Sequence, residues 1–208
     1  EFLRALEDLT RRHDALLIFD EVITGFRLCY GGAQTLFHVT PDLTTLGKII
    51  GGGLPLGAYG GRREILELVA PQGPVYQAGT LSGNPVAVAA GLATLNLLKK
   101  EQPYKRLAQL TDSLVRGLAE AAGSGSVRIQ INSYGSMFTV FFCAEPVHDY
   151  KTAMAADRRA FAKFFRGMLR RGVYLPPAQF EAAFLSCAHK TADLDATVAA
   201  ARRALRDV

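Results

Sequence analysis

The chain is poor in the residues that bind metals or cross-link a fold. It has three cysteines and four histidines in 208 residues, and neither type is clustered. Cys29, Cys143 and Cys187 are odd in number and far apart, so neither a disulfide framework nor a zinc-ligand spacing can be read from them. They fit a reducing compartment, with thiols packed as small apolar groups. Basic residues are more plentiful, and the net charge is +5. They occur singly or as the pairs Arg11-Arg12, Arg170-Arg171 and Arg202-Arg203, inside helix-like segments. No basic stripe interleaved with aromatics is present, which argues against a nucleic-acid partner. No apolar run is long enough to span a bilayer, and no signal peptide is visible. The longest run, 86–98, is broken by Thr94 and Asn96. Hydrophobic residues still make up 49% of the chain, enough for a packed core.

The order of elements indicates an α/β part followed by an α+β part. Residues 1–12 read as an amphipathic helix with Phe2, Leu3, Leu6 and Leu9 on one face. Residues 15–19 form an unbroken apolar run, the pattern of a strand buried on both faces. It ends in Asp20-Glu21. A short strand at 43–46 delivers Lys48. A third strand or turn at 57–61 and a short helix at 63–69 follow. After a glycine- and proline-rich loop at 71–85, Asn84-Pro85 opens a long helix whose small apolar run, 86–98, predicts burial. The composition turns charged near 99–103, where a domain boundary is expected, giving domains 1–101 and 102–208. The second domain reads as a helix at 104–122, a glycine-serine loop at 123–126 and strands at 127–131 and 137–142 joined by 132–135. Next come a helix at about 150–171 ended by Gly172, short strands at 173–175 and 182–188, and a final helix capped by Thr191.

The stretch that organises the first part is LTTLGKIIGGGLPL, residues 43–56. A lysine set between apolar residues is poorly hydrated, and dehydration favours the neutral amine. Such an amine can attack a carbonyl and form a Schiff base. The plain alternative is an exposed lysine before a glycine turn. The run LLIFDE also resembles a magnesium-binding Walker B strand, but its companion phosphate loop is missing. Gly47-Lys48 is followed by Ile49, and Asp42 stands where the loop's first glycine belongs. Asp20 and Lys48 make better sense together. Both lie at the carboxyl ends of neighbouring strands, where open α/β sheets bind ligands. A pyridoxal phosphate site needs a lysine for the carbonyl and a carboxylate against the pyridine nitrogen.

Five motifs extend this pattern: LLIFDEV (16–22), TGFR (24–27), DLTTLGKIIGGG (42–53), LPLGAYGGR (54–62) and AGTLSGNP (78–85). Together with the tail GVYLPPAQFEAAFLSCAH (172–189), they closely resemble the class III pyridoxal-phosphate aminotransferases, and within that family its aminomutase branch. The resemblance covers essentially the whole chain. It implies the C-terminal half of a fold-type I large domain plus a small α+β domain, with pyridoxal 5'-phosphate as cofactor and no metal. It also implies that Lys48 forms the Schiff base and shuttles protons. Asp20 would pair with the pyridine nitrogen, and Val22 would pack on the ring. Gly79 and Thr80 would reach the cofactor phosphate of a neighbouring subunit, hence a homodimer. Tyr76 and Glu181 would face a small amino-aldehyde substrate in an intramolecular amino transfer.

Other readings stay open beside these. Tyr76 could be plain packing, Glu181 an edge-strand surface residue, Glu21 a structural acid, and Arg27 a carboxylate binder or a structural ion pair. Another class III aminotransferase using an ω-amino donor is the nearest functional alternative, and a non-catalytic remnant is a third. The resemblance implies a longer parent whose earlier segment carries the rest of the phosphate site. This chain alone is therefore expected to expose a sheet edge and to show little activity. The expected compartment is the cytoplasm, or a plastid in a photosynthetic eukaryote.

Overall fold

The computed structural model describes residues 1–123 and 127–208. The expected glycine-serine loop therefore lies, beyond Gly123, outside the described residues. The chain forms two compact units, Glu1–Gln102 and Pro103–Val208.

The first unit contains helix α1 (Phe2–Arg12), strand β1 (Ile18–Asp20), helix α2 (Gly32–Phe37) and strand β2 (Leu43–Leu46). A 3₁₀ turn (Lys48–Gly51), strand β3 (Ala58–Gly61) and helices α3 (Arg63–Leu66) and α4 (Pro85–Glu101) complete it. β1 runs parallel to β2, with Asp20 opposite Thr45. β3 runs antiparallel to β2, with Ala58 opposite Leu46. Asp42 knots the far end of this sheet. Its Oδ2 accepts from the Leu17 N–H at 2.8 Å, and its Oδ1 accepts from Arg62 at 2.8 Å. The Arg62 hydrogen bond, then the Leu17 amide, hold the Asp42 carboxyl below the usual carboxylate range.

Two burial expectations fail in this unit. β1 is covered on one face only: Leu17 and Phe19 pack with Val39 against Leu3 and Leu6 of α1. Ile18, on the opposite pleat, is 55% exposed, because successive strand side chains point to opposite faces and only one face meets a helix. α1 likewise leaves Phe2 and Leu9 exposed. α4 begins as expected, with the Asn84 side chain accepting from the Ala87 N–H at 2.9 Å and Pro85 in its first turn. The helix is not buried, however. Only Ala87 and Gly91 are buried on it, while Val86, Leu92 and Leu97 are exposed. An all-round apolar helix needs cover on every side, and within this unit α4 meets cover only along its Ala87–Gly91 face.

The second unit places helices α5 (Tyr104–Gly123), α7 (Arg158–Leu169) and α8 (Thr191–Ala204) with an antiparallel sheet of β4 (Gln130–Tyr134), β5 (Met137–Phe141) and β6 (Ala183–Phe184). Its core brings Leu114 and Leu118 of α5 together with Phe164 and Met168 of α7, Ala201 of α8, and Phe138 and Val140 of β5. The ladder of β4 starts later than expected, though Val127 and Ile129 still pack on the core. Its turn moves with it, to Gly135-Ser136 between the paired Tyr134 and Met137.

The long helix expected at 150–171 is two helices, α6 (Tyr150–Met154) and α7. Asp157 makes the break: its carboxylate accepts from the Arg159 and Ala160 N–H groups at the start of α7, and its own N–H donates to the Phe142 carbonyl. No strand forms at 173–175. Only Ala183 and Phe184 of the last expected strand pair, because Ser186 turns the chain by donating its N–H to His189 Nδ1. The first residue of α8 is Thr191, and its N-terminus is closed by Asp193, which accepts from the Lys190 N–H. Cys187 is exposed rather than packed.

Candidate active site

The parallel pairing of β1 and β2 fixes the site. It sets Asp20 against Thr45, and the Glu21 N–H continues the pairing by donating to the Thr45 carbonyl at 2.9 Å. Both strands therefore end together, and the residues just beyond them share one sheet edge. After β1 comes Val22, and after β2 come Gly47 and Lys48. A Cβ on Gly47 would stand 3.3 Å from Val22 Cγ1, so the two strand ends touch there.

Asp20 is exposed and held by one oxygen. Its Oδ1 accepts from the Val22 N–H at 3.0 Å and from the Thr45 hydroxyl at 3.2 Å. Among the described residues Oδ2 has no partner, so the carboxylate is oriented yet half free to accept from a ligand. Lys48 opens the 3₁₀ turn with φ of 48°. That left-handed backbone is costly for a residue with a side chain and is found where surrounding structure enforces it, often at functional sites. The expectation that apolar neighbours dehydrate Lys48 fails: Ile50 turns inward and is buried, whereas Lys48 is exposed.

What enforces the turn is α4. A Cβ on Gly91 would collide with the Ile50 carbonyl oxygen, and one on Gly52 would meet the Ala90 carbonyl. Helix and turn thus meet backbone to backbone, which only glycine permits. Glu21 anchors the other side. It is 1% exposed, and its carboxylate accepts from the Thr24 hydroxyl at 2.6 Å, the Ala33 N–H at 2.7 Å and the Gln34 N–H at 2.8 Å. It is a structural acid that ties β1 to the start of α2. Arg27 donates through Nε to the Ile23 carbonyl at 3.2 Å, and burial pushes its guanidinium below its usual pKa.

Three further sequence-derived candidates form no hydrogen bond with Asp20, Val22 or Lys48 among the described residues. Tyr76, Gly79 and Thr80 lie in the loop that leads to α4, and all three are exposed, Tyr76 at 84%. Gly79 is tied within the loop, its carbonyl accepting from the Ser82 N–H at 2.9 Å. The loop lays Tyr76 on the surface of this chain. Glu181 belongs to the second unit. It is exposed and lines a small cavity with Thr139, Pro176, Ala178 and Gln179. The sequence did not single out Thr45, Gly91 or Gln179. Thr45 is recognisable only once the strand register is known, whereas the lone glycine in the apolar run of α4 was a readable sign of close approach.

Val22, Lys48 and the Asp20 Oδ2 that no described protein group satisfies form one edge. It suits a flat, cationic heteroaromatic ring that also carries a carbonyl. A lysine and a free carboxylate oxygen beyond adjacent parallel strand ends are the two groups that a carbonyl-bearing cationic ring would need from an α/β sheet edge. The chain belongs to the class-III aminotransferase family, whose model matches residues 1–187. It is 58% identical over 206 residues to a glutamate-1-semialdehyde 2,1-aminomutase of Sulfurihydrogenibium azorense, covering 99% of this chain and 48% of that one. A second such enzyme, from Pelotomaculum thermopropionicum, is also 58% identical, over 205 residues, with 99% and 47% covered. The chain thus spans about half the length of the curated relatives it matches.

Among solved structures, an omega-transaminase from Sphaerobacter thermophilus superposes with TM-score 0.85 at 35% identity, over 99% of this chain and 47% of that one. A glutamate-1-semialdehyde-aminomutase from Pseudomonas aeruginosa, in complex with PMP, gives TM-score 0.85 at 26% identity, over 99% and 48%. The fold is accordingly the α/β arrangement of class III transaminases, of which this chain covers about half.

Proposed function

We propose that this chain carries the lysine side of a pyridoxal-phosphate site in an aminomutase. The enzyme would convert glutamate-1-semialdehyde to 5-aminolevulinate, a tetrapyrrole precursor, by moving an amino group within one molecule. The observation that carries this reading is the shared strand edge, with Asp20 opposite Thr45 and Val22 against Gly47, immediately before the left-handed Lys48. When bound, pyridoxal phosphate supplies an electron-accepting ring beside the reacting carbon. The chain's own residues do the rest. Lys48 Nζ would hold the cofactor through its carbonyl carbon, the carbonyl oxygen leaving as water, and would carry protons as general base and acid. Asp20, oriented through Oδ1, offers Oδ2 to the ring nitrogen and holds its proton. Val22 gives the ring an apolar face.

Gly79 and Thr80 offer a backbone N–H and a hydroxyl to a phosphate held mainly by a neighbouring subunit, which makes the working form a homodimer. Tyr76 and Glu181 face the substrate. Residues 1–101 then serve as part of the cofactor-binding domain, residues 102–208 as the small domain, and the working place is the cytoplasm. The 58% identity to two aminomutases over nearly the whole chain supports a mutase over an ω-amino transaminase.

The test is direct. Pyridoxal phosphate is added to the full chain, the product is reduced with borohydride, and tryptic peptides are mapped. The adduct is expected on Lys48 and is expected to vanish in Lys48→Ala. Label distributed over Lys99, Lys100 and Lys105 with none on Lys48 would overturn the proposal. Consumption of the amino-aldehyde without a keto acid partner separates the mutase from an aminotransferase.

A further inference from the structure

The antiparallel register of β5 and β6 pairs Met137 with Phe184 and Phe138 with Ala183. Carried further, it would set Gln179 opposite Phe142. Among the described residues the ladder stops at Ala183 instead, and 176–182 forms no backbone ladder with β5. A cavity of about 10 Å³ opens between them, lined by Thr139, Val140, Pro176, Ala178, Gln179 and Glu181, room for roughly one water molecule. Gln179 bridges the gap with its side chain. It is 3% exposed, and its Oε1 accepts from the Phe142 N–H at 3.0 Å. An N–H can only donate, so the oxygen of this amide must face Phe142. Phe142 is itself buried in the core against Phe161 and Phe164, and its carbonyl accepts from the Asp157 N–H.

Glu181 sits midway between these two anchor points. Within its own segment the Glu181 N–H donates to the Ala178 carbonyl at 3.2 Å. From β5, the Thr139 hydroxyl reaches the Glu181 carbonyl at 3.5 Å, the outer limit for a hydrogen bond. We infer that Gln179 is the positioning residue for Glu181: its buried side chain replaces a missing backbone rung and fixes where the Glu181 carboxylate stands. The functional part of this inference rests on the reading of Glu181 as a substrate-facing acid. The cost of the arrangement is visible, since Gln179 Nε2 is buried without a hydrogen-bond partner among the described residues. Of its two polar atoms, only the oxygen of Gln179 is bonded among the described residues, so its tie to Phe142 runs through that oxygen.

The experiment uses the full chain and NMR. Gln179→Met preserves length and removes both the acceptor and the unpaired donor, so the unit should stay folded. Gln179→Glu keeps the acceptor, and Gln179→Asn keeps the amide but shortens its reach. In the Met and Asn variants the Phe142 amide should exchange about tenfold faster or more, as a buried hydrogen bond is lost. The Glu181 carboxyl ¹³C signal should shift or double, with an altered titration curve. Gln179→Glu should restore both signals. A Glu181 signal and titration unchanged in Gln179→Met, while Phe142 loses protection, would overturn the inference, and so would failure of Gln179→Glu to restore them. A separate variant, Glu181→Gln, reads the substrate assignment through the loaded chain's discrimination between an amino-aldehyde and a simple α-amino acid. Unchanged discrimination there would remove the role of Glu181 and leave its tie to Gln179 standing.

Discussion

Replacing Gly91 by alanine tests whether α4 holds the lysine turn. Elsewhere in an exposed helix this change is favourable by about 1 kcal/mol, because glycine is the poorer helix former. Here the added methyl would overlap the Ile50 carbonyl oxygen and touch Leu56 Cδ2 at 3.4 Å. The obstructing atom is backbone, which cannot rotate away. Relieving such overpacking typically costs about 1–3 kcal/mol. Since the helix gain offsets part of that, the net loss in the first unit should be at most about 2 kcal/mol, read from the urea midpoint at unchanged slope. Relief requires α4 and the turn to separate, so Lys48 moves. Borohydride-fixed labelling of Lys48 by pyridoxal phosphate should slow by on the order of tenfold to a hundredfold, since a misplacement of about 1 Å can cost about 10²-fold. Gly60→Ala is the control: a methyl there meets nothing within 4 Å and should leave both readouts unchanged. If Gly91→Ala is as stable as the parent and labels at the same rate, the helix does not set the turn.

Two further outcomes concern buried and capping carboxylates. Glu21→Gln trades one acceptor oxygen for an amide donor that must face a hydroxyl or N–H group, so urea unfolding of the first unit should lose about 1–3 kcal/mol. In the second unit, hydrogen bonds from the Ala160 and then the Arg159 N–H groups hold the Asp157 carboxyl below its ordinary pKa. A depressed folded pKa gives stability that is present above the unfolded value, near 3.9, and lost as pH falls through the folded value. The melting temperature of Asp157→Ala should therefore lie below the parent by roughly 2–8 °C at pH 7. The gap should begin to narrow below about pH 4 and close only once the pH is below the depressed folded value. A gap independent of pH would show that the carboxylate charge plays no part in the cap.

What could be read from the sequence was local chemistry, and what could not was cover. The strand at 43–46, the turn at Lys48 and the Asn84-Pro85 start of α4 all arise from side chains near in sequence, and all three are observed. The break at Asp157 was readable on the same terms, since aspartate before an amphipathic run is a cap signal. The continuous helical spacing of Phe161, Phe164 and Phe165 hid it. Burial was misjudged wherever it depends on distant partners. The patterns of β1, of α4 and around Lys48 imply covering layers that Glu1–Gln102 does not itself supply. Thr45 and Gln179 were invisible for another reason: Thr45 meets Asp20 through strand register, and Gln179 meets Phe142 through a side-chain hydrogen bond between distant segments, and both depend on two segments at once.

The left-handed twist at Lys48 has a consequence for anyone improving this protein. A side-chain-bearing residue held at φ of 48° gives up on the order of 1–2 kcal/mol that glycine would recover. Libraries selected only for heat tolerance will therefore drift toward Lys48→Gly and return hardier chains that have shed the amine proposed to form the imine. Any such campaign needs a chemical readout at every round, because at this position durability and reactivity pull the sequence in opposite directions.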